Sequence, residues 1–148
     1  MPFGYPVYLE LGGRKAVVIG ESAVREGKVE GLLEAGAAHV VVIASRPASR
    51  LIELEQEHSP YVAVERRPWR PEDQDGAFVV IASGDQPADR AAIAREARRR
   101  GALVNVMDDV PNCDWAAPSV VRRGDLLLAI STGGRSPALA KKIREELE

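Results

Sequence analysis

Residues 15–44 read KAVVIGESAVREGKVEGLLEAGAAHVVVIA, two apolar runs with a helical pattern between them. Lys15 to Ile19 reads as a buried strand, preceded by an extended segment, Tyr5 to Leu11, and the Gly12-Gly13 turn. Past Gly20 the pattern turns helical: Val29, Leu32 and Leu33 share one face, and Gly36 stands just beyond the end, where a left-handed cap is favoured. His39 to Ala44 (HVVVIA) is a second continuous apolar run, of the kind that a parallel sheet covers on both faces. A strand-helix-strand unit is therefore complete by Ala44.

The same rhythm continues downstream. Leu51 to Glu57 reads as a helix, Tyr61 to Val64 and Ala77 to Ala82 as strands, Asp89 to Arg100 as a helix, and Ala102 to Met107 as a fifth strand. Strands alternating with helices at this spacing, joined by right-handed crossovers, predict an α/β fold with a Rossmann-like doubly wound parallel sheet over residues 1–112. From Cys113 the rhythm changes to CDWAAPSVVRRG, a strand DLLLAIS, a glycine-rich loop TGGR and a last helix. Ser136 suits the N-cap of that helix, Pro137 its first position, and Leu139, Ala140, Ile143 and Leu147 its apolar stripe. A strand and one striped helix are too small to fold alone, so residues 113–148 are expected to pack on a second subunit as a dimerisation segment.

Composition narrows the functional classes. A chain of 148 residues, 45% hydrophobic and 28% charged in both signs, has the makeup of an ordinary globular protein with one main domain. Its net charge of -2 gives no electrostatic case for a nucleic-acid partner. Trp69 among Arg66, Arg67 and Arg70 reads as an exposed loop, and Arg95, Arg98, Arg99 and Arg100 as a solvated helix face. The lack of a long apolar run or of a leader-like start predicts a cytoplasmic protein without a membrane partner. One cysteine excludes an internal disulfide, and Cys113 with His39 and His58 matches no zinc-ligand spacing, so no metal site is expected. Cys113 reads as a small packed residue.

The turn at Gly20 sits where such folds bind phosphates. A triphosphate loop is excluded, because six residues separate Gly20 from Gly27 and Val29 stands where the magnesium-binding hydroxyl belongs. The dinucleotide pattern G-x-G-x-x-G is met only at Gly20, with Ser22 and Arg25 at the other two positions, and Glu21 would oppose a diphosphate if it pointed inward. After the second strand come Ser45 and Arg46, compatible with a 2′-phosphate or with a solvated arginine. A nucleotide turn and a ligand-free structural turn both remain open on these residues. Asp108 and Asp109, at the carboxyl edge after the fifth strand, can serve catalysis or cap a turn.

Two longer stretches, YPVYLELGGRKAVVIG at 5–20 and VNVMDDVPNCDWAAPSVVRRGDLLLAISTGGRSPALAKKIREELE at 104–148, resemble the precorrin-2 dehydrogenase family, the dehydrogenase and chelatase module of siroheme synthesis. The most specific parts are VxDD...CD...P at Val106 to Pro118 and AISTGGxSPxLA at Ala129 to Ala140. The resemblance implies NAD-dependent oxidation of precorrin-2 to sirohydrochlorin, with NADP not excluded, and insertion of ferrous iron by some members. It implies that Asp108 is the catalytic aspartate. It places the cofactor on Gly20, Glu21, Ser22, Ala23, Val24, Ser45, Arg46, Ser83 and Gly84. It places the tetrapyrrole on Asn105, Ser131, Gly133, Gly134 and Arg135, and it implies a homodimer. Arg122 and Arg123 add cations for a substrate with eight carboxylates, against the plainer reading of subunit contacts and a helix cap.

The chain departs from the family in places. The usual G-G-G turn is Gly20, Glu21 and Ser22, the basic pair after it is Gly27 and Lys28, and the A-T-D-D run is Ala82, Ser83, Gly84 and Asp85. The family's C-terminal helical region is expected to be absent beyond Glu148. These departures also admit a non-catalytic descendant that binds tetrapyrrole or nucleotide.

Overall fold

Each buried apolar run becomes a strand of one parallel sheet: β1 (Lys15–Ile19), β2 (His39–Ile43), β3 (Val62–Glu65), β4 (Ala77–Ala82) and β5 (Leu103–Val106). The computed structural model describes residues 3–25, 27–84 and 87–148; Asp85 lies outside them. Strand order is β3-β2-β1-β4-β5, so the chain winds outward from β1 and then returns to its other side at β4. That reversal opens a crevice at the carboxyl ends of β1 and β4, where open α/β sheets bind ligands.

The helices are α1 (Glu21–Arg25), α2 (Lys28–Glu34), α3 (Ser49–Glu57) and α4 (Pro87–Arg99). Where the sequence reads as one helix after Gly20, the structure has two, because Gly27 adopts φ 73, a left-handed conformation that ends α1 and precedes α2. Ile93, Ala94 and Ala97 of α4 pack with Val17, Val80 and Val104 of the sheet in one buried cluster.

Between β3 and β4 there is no crossover helix, only a 3-10 turn, Pro71–Gln74. Trp69, expected in an exposed loop, instead packs half-buried against that core cluster. Its indole covers apolar surface that a crossover helix would otherwise cover. The turn is held by the Asp73 carboxylate, which accepts from Arg67 Nη2 at 2.6 Å, Arg67 Nη1 at 3.0 Å and the Arg70 amide at 2.6 Å. Lys15 Nζ donates to the carbonyls of Asp73 (3.3 Å) and Asp75 (2.7 Å). The arginines expected to be solvated are also tied down: Arg98 pairs with Asp114 at 2.9 Å, and Arg100, 13% exposed, pairs with Asp75 and Glu96.

These pairs predict the acid limb of stability. Burial alone would raise the Asp73 carboxyl, but the Arg67 guanidinium and the Arg70 amide outweigh it and hold the group below the usual range. Arg66 holds Glu55 down, and Arg100 with Arg99 does the same for Glu96. A carboxyl with a lower pKa folded than unfolded adds stability above its unfolded pKa, about 4, and loses it as pH falls through the folded value. The melting midpoint followed by circular dichroism should therefore fall steadily between about pH 5 and pH 3. The fall should be shallower in an Arg67→Ala variant.

β5 is an edge strand, and its outer edge is closed by side chains. Asp114 donates its amide to the Val104 carbonyl at 2.7 Å and accepts the Val104 amide on Oδ2 at 3.1 Å. Cys113 Sγ repeats the pattern one step along, with the Val106 amide at 3.2 Å and the Val106 carbonyl at 3.0 Å. Burial pushes its thiol pKa up, as suits a packed residue. Asp114→Ala should lower the unfolding free energy by about 2 kcal/mol, chiefly through the orphaned Val104 amide, and Asp114→Asn by less than half of that. Denaturant melts with an unchanged m-value would show it.

The described part of residues 1–7 forms a second unit with Trp115–Glu148. It carries an antiparallel hairpin, β6 (Ser119–Arg123) and β7 (Leu126–Ile130), and α5 (Pro137–Leu147). β6 is an addition to the sequence reading, in which only the second strand was evident. The Ser136 hydroxyl caps α5 by accepting the Leu139 amide at 3.2 Å. Among the described residues of this unit, Val121 and Ala140 are the buried apolar ones, while Val120, Leu126, Leu139 and Leu147 are exposed.

Candidate functional site

The crevice at the carboxyl ends of β1, β2 and β4 is a cleft of about 170 Å³ lined by Gly20, Glu21, Ser45, Trp69, Ser83 and Gly84 among others. Its floor is stitched strand to strand: the Gly20 amide donates to the Ile43 carbonyl at 2.9 Å, and the Ser83 amide to the Ile19 carbonyl at 2.8 Å. The Ser83 hydroxyl accepts the Ala23 amide at 3.1 Å and so ties the start of α1 to the end of β4. Gly20 has φ 101, and a Cβ there would lie 2.4 Å from the Ser83 hydroxyl and 2.5 Å from its carbonyl oxygen. Only glycine lets the turn pass this close to β4.

Glu21 reaches across the turn. Its Oε1 accepts the amide of Arg46, just past β2, at 2.9 Å. The carboxylate that could have faced a diphosphate is thus engaged by a backbone donor at the end of β2. At Gly84 the carbonyl accepts Arg90 Nε at 2.6 Å, which ties the loop after β4 to α4.

Of the expected cofactor residues, Gly20, Glu21, Ser45, Ser83 and Gly84 line one cleft. Ser22 is half-buried beside them, and Arg46 is exposed on the β2 loop. Ala23 and Val24 bury their side chains, so only their backbone is left to meet a ligand. Sequence reasoning missed Arg67, Pro68, Trp69 and Asp89, which also line the cleft. The signal for the first three was the want of helical periodicity between Val64 and Ala77. A dinucleotide fits these residues: a side-chain-free turn at a sheet reversal, hydroxyls on Ser45 and Ser83, and a carboxylate that can accept from ribose.

The end of β5 lies beside this cleft, because the Met107 amide donates to the Ala82 carbonyl at 2.8 Å, one residue before Asp108 and one before Ser83. The two neighbouring aspartates differ. Asp109 holds the turn: its carbonyl accepts the Asn112 amide at 3.0 Å and its Oδ2 the Asn112 side chain at 2.8 Å. Asp108 takes no part in those bonds, is exposed and has φ 58, a left-handed conformation uncommon outside glycine. Asn105, on the same strand, is half-buried opposite Ile81.

The remaining substrate candidates lie in the smaller unit. In its loop Ser131 Oγ accepts the Gly133 amide at 3.1 Å, Thr132 Oγ1 accepts the Ser136 amide at 3.0 Å, and Gly133 and Gly134 have φ 64 and 79. Arg122, Arg123 and Arg135 are exposed there. A larger open groove, about 550 Å³, lies by the amino ends of β2 and β3 and includes Glu30, Arg50 and His58. Its Arg50 is already shared by Glu30, Glu53 and Glu57 at 3.4 to 3.6 Å.

Known proteins resemble this chain in sequence and fold. A family model described as "Putative NAD(P)-binding" matches residues 7–119, and one described as "Sirohaem biosynthesis protein central" matches residues 123–148. The chain is 37% identical over 143 residues to siroheme synthase 1 of Pectobacterium atrosepticum and 36% identical over 143 residues to siroheme synthase of Methylococcus capsulatus. These alignments cover 97% of this chain but only 29% and 30% of the relatives, so the chain spans under a third of their length. The solved structure of SirC, a precorrin-2 dehydrogenase, superposes with a TM-score of 0.77 at 29% identity, covering 97% of this chain and 69% of that one.

Proposed function

Because the chain belongs to the precorrin-2 dehydrogenase family of siroheme biosynthesis, we propose that it oxidises precorrin-2 to sirohydrochlorin with NAD, as a cytoplasmic homodimer. The observation that carries this reading is the cleft at the sheet reversal with Asp108 beside it, one hydrogen bond away along the strand ends. The larger unit, 8–114, is then the dinucleotide-binding domain and the smaller unit the dimerisation segment.

The oxidation removes a hydride and a proton from the macrocycle. Bound NAD supplies the hydride acceptor. Gly20, Glu21, Ser22, Ser45, Arg46, Ser83 and Gly84, with the backbone of Ala23 and Val24, hold that cofactor. Asp108 takes the proton, as an exposed carboxylate on a backbone held in an uncommon conformation. Asn105, Ser131, Gly133, Gly134 and Arg135 position the substrate, with Arg122 and Arg123 as further cations for its carboxylates. In a second family activity, insertion of ferrous iron into sirohydrochlorin, the same aspartate accepts pyrrole protons. The dimer is supported by Leu126, Leu139 and Leu147, apolar side chains that the small unit leaves about half exposed.

The test is to supply precorrin-2 with NAD and follow the sirohydrochlorin spectrum. Turnover by protein whose light-scattering mass is twice the 16.0 kDa chain supports the reading. Cofactor binding without turnover would favour a non-catalytic descendant, and adding ferrous iron to sirohydrochlorin tests the chelatase step separately.

A further inference from the structure

We infer that Glu21 is a specificity-determining residue, a carboxylate supplied by the β1–α1 turn that accepts an adenosine ribose hydroxyl and excludes a 2′-phosphate, so that NAD is bound in preference to NADP. The inference rests on the dehydrogenase reading above. A dinucleotide-binding sheet ordinarily carries an acid at the end of β2 for the ribose diol. Here the chain after β2 runs Ala44, Ser45, Arg46, Pro47, Ala48, with no acid among them. Taken by sequence alone, that stretch is compatible with a 2′-phosphate or with a solvated arginine and decides nothing between the two cofactors.

The structure places a carboxylate there from another part of the chain. Glu21 Oε1 stands 2.9 Å from the Arg46 amide, and Glu21 and Ser45 line the same cleft. The Gly20 amide is fixed to the Ile43 carbonyl at 2.9 Å, so the turn that carries Glu21 is bonded to the end of β2 immediately before it. A carboxylate has about four acceptor positions. One is taken by Arg46, which leaves the group able to accept from a ribose hydroxyl.

A 2′-phosphate on that ribose would set a doubly charged group against the carboxylate. Two cations stand near enough to oppose this. Arg46 has an exposed side chain, whose field solvent screens, whereas Glu21 is partly buried and held by its hydrogen bond. Arg67 lines the cleft, but its guanidinium is bound to both oxygens of Asp73 at 2.6 and 3.0 Å. Neither is placed to cancel Glu21 at the ribose, so the carboxylate decides between the two cofactors by repelling the wrong one.

Calorimetric titration of the intact chain with NAD and with NADP tests this without turnover. Wild-type protein should bind NAD at least about tenfold more tightly than NADP, and Glu21→Gln, which keeps an oxygen for the Arg46 amide, should reduce that ratio about tenfold, mainly by tightening NADP. Equal wild-type affinities, or a ratio that Glu21→Gln leaves unchanged while both cofactors still bind, overturn the inference alone. Failure of both dinucleotides to bind overturns it together with the dehydrogenase reading.

Discussion

Asp108→Asn should lower kcat for precorrin-2 oxidation by about 10² to 10⁴-fold, with little change in NAD affinity or melting temperature. The backbone makes this substitution informative. Asp108 has φ 58, and asparagine is among the few side chains that tolerate the left-handed region. The turn around it does not depend on the replaced carboxylate, since Asp109 accepts from both the amide and the side chain of Asn112. What Asp108→Asn removes is therefore a proton acceptor. Alanine at the same position would confound the result, because it adds about 1 kcal/mol of backbone strain to the lost chemistry. Steady-state kinetics, calorimetric NAD binding and a thermal melt on one preparation separate the effects. A kcat within twofold of wild type would remove Asp108 from the mechanism, whereas a fall in melting temperature would make its role structural.

Physical reasons separate what could be read along the chain from what could not. β2 and β4 announce themselves because both faces are covered, so Val40, Val42 and Ile43 or Val79, Val80 and Ile81 run on without a polar break. β6 does not, because its one buried residue, Val121, sits between exposed neighbours and leaves no period to count. The helix break at Gly27 is a matter of φ, and glycine spacing alone does not say whether a helix ends or continues. Cys113 and Asp114 stand out as a motif, yet their task depends on the outer edge of β5, where they meet Val106 and Val104 in turn. Glu21 is the strongest case. Its partner is the amide of a residue 25 positions away, and a backbone amide leaves no mark in composition or pattern. The glycine turn was legible by position; the direction of its acid was not.

Gly20→Ala should be the most damaging single substitution in the cleft, lowering stability by about 3 kcal/mol or more and abolishing measurable cofactor binding. Two independent penalties act at once. The backbone has φ 101, beyond the left-handed well near +57° that alanine can occupy at a modest penalty. The added methyl would also stand 2.4 Å from the Ser83 hydroxyl and 2.5 Å from its carbonyl oxygen. The hydroxyl could rotate away, but it would then surrender the Ala23 amide it now accepts at 3.1 Å. The carbonyl is backbone that directly follows a fixed strand end, with the Ser83 amide bonded to Ile19 at 2.8 Å and the Met107 amide to the Ala82 carbonyl at 2.8 Å, so moving it disturbs the end of β4. Relief requires β1 and β4 to part at the point where the sheet reverses, which is also where the cofactor must lie. Replacement of a glycine that meets nothing, Gly101→Ala at φ 77, supplies a positive-φ reference without the clash. Denaturant melts of the two variants should differ by roughly 1 to 3 kcal/mol, with Gly20→Ala the less stable. Equal losses would mean that β4 yields to the methyl, and retained NAD binding in Gly20→Ala would move the cofactor away from this turn.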